Sequence, residues 1–385
     1  MIDLNSMSVE QTNIRLAVMI PTLAGGGMER VHIYLIEAFR QKGFEVDLLV
    51  SQFKGPLCRD LPESVRVFEL ARHSSYWLPV GLWRYLRRRK PTHILAAPND
   101  IALVALWVTR RLRLTTPIVM SVHNHISTQQ QFTGIFKRLK ERLVMSLLRR
   151  YCTDLRAVIA VSKGVAQDFS RYLPVSRERL HVVYNPVVTP QTQELLAEDL
   201  PIQDIPDDRP WVVFAGRFVK LKGLDILLPA FAQVVKQVQA RLVLLGDGPL
   251  ISVIDKMISD YDLHACVHCP GFQANPLPWM NKAAVLVLSS RTEGLPGVLI
   301  EAMAAGTQIV ATDCPSGPAE ILEEGRYGQL VPVGDIDALG NAIVKSLKGE
   351  FFVPPEQLKA HAEDFTVDKA ANAYLELLLS VPNHQ

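Results

Sequence analysis

Two glutamates eight positions apart flank a turn containing glycine and proline in the segment RTEGLPGVLIEAMAAG. Glu293 precedes the predicted helix and Glu301 lies on its first or second turn, so both side chains can face a ligand at the helix amino terminus. Free amides at such a terminus bind phosphate, and carboxylates bind sugar hydroxyls. Phosphate together with a polyol describes a nucleotide sugar. Spacing alone equally allows Glu301 to be a helix-dipole partner and Glu293 a solvated loop residue.

Two cations follow an earlier predicted strand, in FAGRFVKLKG. Arg217 and Lys222 stand just after this strand, beside Gly216, where they could neutralise a diphosphate without a metal ion. The alternative is a pair of solvated basic residues before a helix. Gly246, in GDGP, marks another strand exit where the lack of a side chain permits close backbone approach.

The amino-terminal half also has candidates at predicted strand ends. Gly26 and Gly27, in TLAGGGMERV, lie between the first strand and the first helix. They do not form a dinucleotide fingerprint, because Arg30 stands where that motif needs glycine or alanine. In MSVHNHIS, His123 directly follows a strand, and His125 is the alternative; an isolated histidine is more often a packed or capping residue.

These candidates need a scaffold that brings strand ends together. Short apolar runs alternate with helical patterns twice along the chain, which predicts an α/β protein with two doubly wound, Rossmann-like domains facing a cleft. The polar stretch 189–210 is rich in proline and is interpreted as the linker. The predicted domains are residues 1–205 and residues 206–365. A last helix at 366–385 is expected to pack back on the first domain.

Composition narrows the partners and the cellular compartment. In residues 82–156, lysine and arginine far outnumber acidic residues, which favours an anionic lipid or phosphate neighbour. No aromatic ladder interleaves them, so nucleic acid is not expected. Five scattered cysteines indicate a reducing cytoplasm. The amino terminus lacks signal-peptide features, and the longest apolar stretch, 94–108, falls short of a bilayer span. Any membrane contact is therefore expected to be peripheral.

The motifs E-G-x-P-x-x-x-x-E, G-R-x-x-x-x-K-G and G-D-G-P together resemble the retaining glycosyltransferases of family 4, which have the GT-B fold. The resemblance covers most of the chain and is most specific over residues 211–335. It implies that Glu301 binds the donor ribose and Glu293 contacts the transferred sugar. It also implies that Arg217 and Lys222 hold the diphosphate. By the same resemblance, residues 1–205 are expected to bind the acceptor and residues 206–365 the nucleotide sugar.

The resemblance extends these roles to further residues. His123 becomes the active-site histidine beside the donor sugar, and Asn185 matches the asparagine before the crossing between domains. The implied catalytic residues are His123, Glu293, Arg217 and Lys222. The implied donor-binding residues are Gly26, Gly27, Gly216, Arg217, Lys222, Gly246, Glu293, Gly294, Gly297, Val298 and Glu301.

The implied reaction retains configuration, with the leaving diphosphate assisting attack on the same face. It needs no cofactor and no metal, since cationic side chains and helix dipoles can stabilise the developing charge. The D-x-D sequence at 335–337 is interpreted as a helix cap at Asp335 rather than a metal site.

The GGGMERV and DCPSGPAEIL variants resemble the branch that builds bacterial surface polysaccharides such as lipopolysaccharide, O-antigen and capsule. That implies a UDP sugar carrying a hexose or N-acetylhexosamine and a glycan or polyprenyl-diphosphate-linked acceptor. A basic amphipathic helix at 134–150 could hold the protein on the inner face of the cytoplasmic membrane. The alternative for this segment is an ordinary surface helix packed on the sheet. Alternative functions are transfer to a soluble acceptor, a sugar-nucleotide epimerase and a non-catalytic nucleotide-sugar sensor.

Overall fold

The computed structural model describes residues 14–62, 64–72, 74–129, 134–200 and 209–380. It divides into two compact units, Met1–Pro186 with Val367–Gln385, and Val187–Thr366. The chain passes from the first unit to the second directly after Pro186. The composition of the linker instead predicts this boundary at residue 205.

The first unit is built from alternating strands and helices. In chain order they are β1 (Arg15–Ile20), α1 (Gly27–Gln41), β2 (Glu45–Val50), β3 (Arg66–Glu69), α2 (Leu78–Arg89), β4 (His93–Ala96), α3 (Asn99–Arg111), β5 (Ile118–Val122), α4 (Ile126–Gln129), α5 (Ile135–Tyr151), β6 (Ala157–Ala160), α6 (Lys163–Tyr172) and β7 (Leu180–Val182). The strands form one parallel sheet in the order β3-β2-β1-β4-β5-β6-β7.

Continuous apolar runs explain the central strands, because a parallel sheet covered on both faces buries every side chain. Residues 16–20 in β1 are all buried. The strands predicted from such runs in this unit are present. The sequence reading missed β3, whose residues are only half-buried or exposed, because an edge strand lacks the apolar signal.

The chain returns to the first unit at its end. Helix α15 (Val367–Leu379) packs beside α1, and Ala371, Tyr374 and Leu375 lie in the same core as β1 and β2. The Arg156 guanidinium donates hydrogen bonds to the Leu377 carbonyl at 3.3 Å and to Ser380 Oγ at 3.0 Å. Residues from both ends of the sequence therefore build one core.

The second unit repeats the alternation. Its elements are α7 (Thr192–Leu196), β8 (Trp211–Ala215), α8 (Leu224–Val234), β9 (Arg241–Leu245), α9 (Ile251–Asp260), β10 (Val267–Gly271), α10 (Leu277–Lys282), β11 (Val285–Leu288), α11 (Gly297–Ala305), β12 (Gln308–Thr312), α12 (Pro318–Ile321), β13 (Gln329–Val331), α13 (Ile336–Leu347) and α14 (Pro355–Ala362). Its parallel sheet has the order β10-β9-β8-β11-β12-β13, and all six strands correspond to predicted ones.

Residues 187–200 explain why the division precedes the predicted linker. The Val187 and Val188 amides donate to the Phe365 carbonyl at 3.0 and 3.1 Å. The Asn275 amide donates to the Leu195 carbonyl at 2.8 Å. Polar composition concealed these contacts, which anchor the segment to the second unit. In the described part of the chain, no helix combines the length and apolar character needed to span a bilayer.

Candidate active site

The second unit brings two of the predicted motifs together at the centre of its sheet. Strands β8 and β11 pair directly, although β9 and β10 intervene in sequence. The chain order reverses between them, and loops at the carboxyl ends of strands at such a switch point form the usual ligand crevice of open α/β sheets. Arg217 and Lys222 follow β8, and Glu293 follows β11.

Lys222 and Glu293 form an ion pair across this switch point. Lys222 Nζ lies 2.6 Å from Glu293 Oε1, which also accepts a hydrogen bond from Ser290 Oγ at 2.6 Å. Both charged side chains are largely buried, with exposed fractions of 24% and 12%. The pair presents a cation that can donate to a phosphate beside a carboxylate that can accept from a sugar hydroxyl.

A glycine makes this approach possible. Gly223 follows Lys222 with φ at +67°, and a Cβ there would lie 2.0 Å from the Ser289 carbonyl oxygen. The Ser289 hydroxyl in turn donates to the Lys222 carbonyl at 2.8 Å. The K-G dipeptide is therefore required by the close contact between the exit loops of β8 and β11.

The loop carrying Glu293 is fixed from the far side by the exit loop of β12. Ser316 Oγ donates to the Glu293 carbonyl at 2.7 Å. Gly317 has φ at +95°, and a Cβ there would lie 2.4 Å from Pro296 and 3.1 Å from the Gly294 carbonyl. In the sequence this segment is notable only for its family pattern, whereas these contacts give it a structural role.

Helix α11 begins at Gly297 and ends at Ala305, directly before the left-handed Gly306. Gly297 and Val298 therefore supply amides at the helix amino terminus, where a phosphate can bind. Glu301 lies in the second turn and is half-buried. Its contact with the donor ribose stays a prediction.

The glycines after β8 and β9 pack against each other. Gly246 has φ at +151°, and a Cβ there would lie 2.0 Å from the Gly216 carbonyl. A Cβ on Gly216 would be 3.7 Å from Lys222 Cε. The contact between Gly246 and Gly216 holds the exit loop of β8 against that of β9. The lack of a side chain at Gly216 leaves room for the aliphatic part of Lys222. Arg217 is exposed and forms no side-chain hydrogen bond or ion pair with any residue that the structure describes.

In the first unit, the predicted glycines lie at the amino terminus of α1. Gly26 is the cap residue and Gly27 the first helical residue. A Cβ on Gly27 would meet nothing within 4 Å, whereas Gly25 has φ at +88°. Backbone geometry therefore requires glycine at Gly25, and the space around Gly27 is open.

His123 directly follows β5 and ends a hydrogen-bonded chain that the sequence analysis missed. His32 Nδ1 lies 2.8 Å from the Met28 carbonyl, and its Nε2 lies 3.2 Å from Ser121 Oγ. Ser121 Oγ is also 3.3 Å from His123 Nε2. Because a carbonyl oxygen can only accept a hydrogen bond, neutral His32 donates from Nδ1 to Met28. Its Nε2 then accepts a hydrogen bond from the Ser121 hydroxyl. His123 then donates from Nε2, which leaves its Nδ1 as an acceptor.

Burial keeps His32 and His123 neutral. It lowers the pKa of His32 to about 4, an effect that the hydrogen bond to Met28 only partly offsets. Burial, and then the adjacent His32, hold the pKa of His123 well below its ordinary value. A neutral imidazole can accept a hydrogen bond from a hydroxyl group at neutral pH.

His125, the alternative to His123, has a different environment. Its Nδ1 lies 3.5 Å from Asp168 Oδ2, and the same carboxylate oxygen accepts the Ile126 and Ser127 amides at 2.6 and 3.1 Å. Burial lowers the pKa of His125, although Asp168 partly offsets this. His125 therefore belongs to a cluster that fixes the start of α4.

A pocket of about 250 Å³ opens beside His123 within the first unit. Asn99 and Asp100 at the start of α3 line one side, and Lys140 and Glu141 of α5 line another. Lys140 Nζ and Asp100 Oδ2 form an ion pair at 3.0 Å. A ligand with hydroxyl groups could form hydrogen bonds with both donors and acceptors in this pocket.

The D-x-D sequence is part of a helix cap. Asp335 Oδ1 accepts the Ala338 amide at 2.9 Å, which confirms the predicted capping role. Asp337 accepts a hydrogen bond from Gln233 at 2.8 Å. Within the residues described, no group of three or more His, Cys, Asp or Glu side chains is arranged to hold a metal ion.

Two family models match the chain and together cover most of it. A model described as Glycosyltransferase Family 4 matches residues 25–191, and one described as Glycosyl transferases group 1 matches residues 209–349. The chain belongs to the family 4 glycosyltransferases. The first match covers β2 to β7, and the second covers all six strands of the second sheet. Together they contain the Gly26, Lys222 and Glu293 loops.

Curated relatives align with this family 4 glycosyltransferase over nearly its whole length. The N-acetylgalactosamine-N,N'-diacetylbacillosaminyl-diphospho-undecaprenol 4-alpha-N-acetylgalactosaminyltransferase of Campylobacter jejuni is 27% identical, over 95% of this chain and 99% of the relative. The lipopolysaccharide core biosynthesis glycosyltransferase LpsE of Rhizobium meliloti is 27% identical, over 93% and 97%.

A solved structure shows the same fold. Anabaena Alr3699/HepE in complex with UDP and glucose superposes with a TM-score of 0.76 at 21% identity, over 96% of this chain and 100% of that one. The predicted fold class, two doubly wound α/β domains of the GT-B type, is confirmed.

Proposed function

We propose that this glycosyltransferase transfers a hexose or N-acetylhexosamine from a UDP sugar, with retention of configuration, in the synthesis of a bacterial cell-surface glycan. The observation that carries the donor assignment is the Lys222–Glu293 pair at the switch point between β8 and β11. It combines a phosphate-binding cation with a hydroxyl-binding carboxylate, as a nucleotide sugar requires. The UDP-bound HepE structure and its shared fold support a UDP donor.

We propose a role in donor binding for each of these residues. Glu293 accepts hydrogen bonds from the transferred sugar, while Lys222 and the exposed Arg217 contact the diphosphate. The amides of Gly294, Gly297 and Val298 lie along the same loop and helix start. Glu301, one turn further, binds the ribose hydroxyls. Gly216 and Gly246 keep the pocket floor free of side chains.

The chemistry depends on the charge that develops on the leaving diphosphate. Bond breaking moves negative charge onto the diphosphate oxygens, and preorganised donors stabilise that charge most effectively where water is excluded. Lys222 is held by Glu293, so it needs little rearrangement as the charge develops. We propose that Arg217, Lys222 and the α11 dipole act without a metal ion or a cofactor, and that the departing oxygen assists attack on the same face.

His123 is proposed to contact the donor sugar. The chain through Ser121 and His32 fixes its tautomer, and the unprotonated Nδ1 can accept a hydrogen bond from a sugar hydroxyl. Gly26 and Gly27, at the amino terminus of α1, are proposed to approach the diphosphate. The pocket beside His123 is proposed to receive the acceptor.

The acceptor is proposed to be a glycan or a polyprenyl-diphosphate-linked sugar. The name of the Campylobacter relative contains a diphospho-undecaprenol carrier. In this chain, α5 exposes Phe136, Leu139 and Leu143 with exposed fractions of 86, 56 and 61%, while Leu148 near the end of the same helix is buried. An outward apolar row on a basic helix fits a membrane surface better than a packed surface helix. We therefore propose peripheral contact with the inner face of the cytoplasmic membrane through residues 134–150.

The donor assignment is tested by thermal stabilisation with UDP, GDP and ADP sugars in the presence of chelator. Ligand binding to the native state raises stability by RT ln(1 + [L]/Kd), so the true donor is expected to raise the Tm by several degrees. Glu301→Ala should abolish the shift, and Glu350→Ala, at an exposed position in the same unit, should keep it. A shift that persists in Glu301→Ala would contradict the ribose role.

Two further measurements separate the alternative functions. Release of free UDP, with the anomeric configuration of the product read by NMR, distinguishes a retaining transferase from a sensor and from an epimerase. Stimulation by a lipid-linked acceptor but not by a soluble sugar distinguishes the proposed acceptor class from the soluble alternative.

A further inference from the structure

A groove of about 720 Å³ lies between the edge strand β3 and helix α2. Arg72, Arg84 and Arg88 line it together with the apolar side chains of Trp77 and Val80. It belongs to the first unit and contains none of the residues proposed to bind the donor. Its lining combines cationic and apolar groups.

The three arginines lie in the groove without an ion-pair partner among the residues that the structure describes. All three are exposed, and none forms a side-chain hydrogen bond or ion pair with a residue in the described parts of the chain. The neighbouring Arg89, by contrast, pairs with Asp47 at 3.1 Å. Glu69 is the carboxylate in the lining, and its Oε1 accepts the Phe53 amide at 3.2 Å. Guanidinium groups in such a cluster match the geometry of a phosphate.

Three exposed aromatic side chains lie close to these arginines in the sequence, and one of them, Trp77, lines the groove. Tyr76, Trp77 and Trp83 have exposed fractions of 93, 59 and 39%, and the Arg87 guanidinium lies 4.5 Å from the Trp83 ring centre. Tryptophan and tyrosine beside basic residues are typical of surfaces that sit at the level of lipid headgroups. A site for a free anion gains nothing from aromatic groups exposed to water.

The groove is continuous with the helical layer that contains α5. Helix α2 packs on α3, and α3 packs on α5. The right-handed rule for parallel crossovers places all three on the face of the sheet opposite α1. Trp107 on α3 is also exposed, at 43%. The exposed apolar and basic side chains therefore extend over three adjacent helices.

We propose that this groove binds the phosphate of an anionic membrane phospholipid, with Tyr76 and Trp77 entering the headgroup region. The proposal adds a lipid-binding site to the membrane contact proposed for α5, and it does not depend on the identity of the donor or acceptor. The arginines of the groove make binding selective for anionic lipid, and the exposed apolar side chains of α5 insert into the membrane surface.

The test is co-sedimentation of the full chain with vesicles of phosphatidylcholine, alone or mixed with phosphatidylglycerol. Each arginine held at an anionic surface strengthens binding by roughly fivefold, so R72Q/R84Q/R88Q should weaken binding to the mixed vesicles by about 100-fold. The matched control is R59Q/R171Q/R177Q, which removes the same charge from exposed positions outside the groove and should weaken binding by less than fivefold. Unchanged thermal unfolding and donor binding verify that both variants are folded.

Three results would overturn the proposal: equal losses in the two triple variants, retention of anionic binding by the groove variant, or loss of vesicle binding in millimolar inorganic phosphate at constant ionic strength. The last would assign the groove to a free anion. Leu139→Asn with Leu143→Asn tests α5 separately, since it should weaken binding to both vesicle types and leave the preference for phosphatidylglycerol intact. The experiments can therefore contradict the groove proposal without contradicting the α5 proposal, and the reverse.

Discussion

Positive charge is arranged in opposite ways at the β8–β11 switch point and in the groove beside α2. At the β8–β11 switch point, Lys222 is paired with Glu293, and the nearby Arg291 forms a bidentate pair with Asp225 at 2.8 Å through each nitrogen. On α2, Arg84 and Arg88 have no such partners within the described residues. Pairing fixes a side chain in one geometry, which suits a reacting centre, whereas an unpaired cation remains available to an anion from outside the protein.

The largest effect is expected from breaking the pair at the switch point. Glu293→Gln preserves size and can keep the Ser290 contact, but it removes the charge that holds Lys222. We expect kcat to fall by about 100-fold, as when a preorganised charge-stabilising group is lost. The measurement is the rate of nucleotide release from the donor that the thermal panel identifies. Glu350→Gln should leave the rate unchanged, and a loss below threefold in Glu293→Gln would show that the pair has no catalytic role.

Adjacent arginines on α2 sharpen the contrast within a single helix. Arg89 donates to Asp47, whose side chain is fully buried and also accepts a hydrogen bond from Tyr85 at 2.8 Å. Arg89→Gln is expected to lower the free energy of unfolding by about 2 kcal/mol, because a buried carboxylate loses its cation. Arg88→Gln should change it by less than about 0.5 kcal/mol. Urea denaturation of both variants measures this, and equal midpoints would remove the distinction between paired and unpaired arginines.

The smallest effect is a pH dependence from the neutral histidine chain. His32 has a pKa of about 4 in the folded protein against 6.5 ordinarily, so the unfolded state binds more protons as the pH falls below 6.5. The free energy of unfolding should therefore fall between about pH 6.5 and pH 4, by about 1 kcal/mol at pH 5.5 from this group. Denaturation at pH 7.5 and 5.5 measures the loss. His32→Gln should reduce it, whereas the exposed His264→Gln should not; equal losses in both would exclude His32 as the source.

The sequence predicted most of the strands and the placement of the motif residues because both depend on local signals. Consecutive apolar residues identify buried parallel strands, and Gly297 and Gly306 mark where α11 begins and ends. The contacts that fix the site are not local. Ser316 holds the Glu293 loop from 23 positions away, and His32 reaches Ser121 across 89 positions, so neither leaves a pattern in its own segment.

The same reason explains the misplaced boundary. Polar and proline-rich composition marks residues 189–210 as a linker. The Val187 amide nevertheless donates to the Phe365 carbonyl, and the Leu195 carbonyl accepts from the Asn275 side chain, so both are anchored to parts of the second unit distant in sequence. The composition of a segment indicates the conformation that it would adopt in isolation. It does not indicate which surface of the folded protein the segment contacts.

The return of α15 to the first unit affects the order in which a growing polypeptide can mature on the ribosome. Residues 187–366 are continuous, so the second unit can close as soon as it has emerged. The first unit begins synthesis earlier, but its core lacks Ala371, Tyr374 and Leu375 until α15 has also been synthesised. The apolar surface around α1 therefore stays uncovered while the second unit is made, and a nonsense codon directly after residue 366 would leave the core of the first unit incomplete.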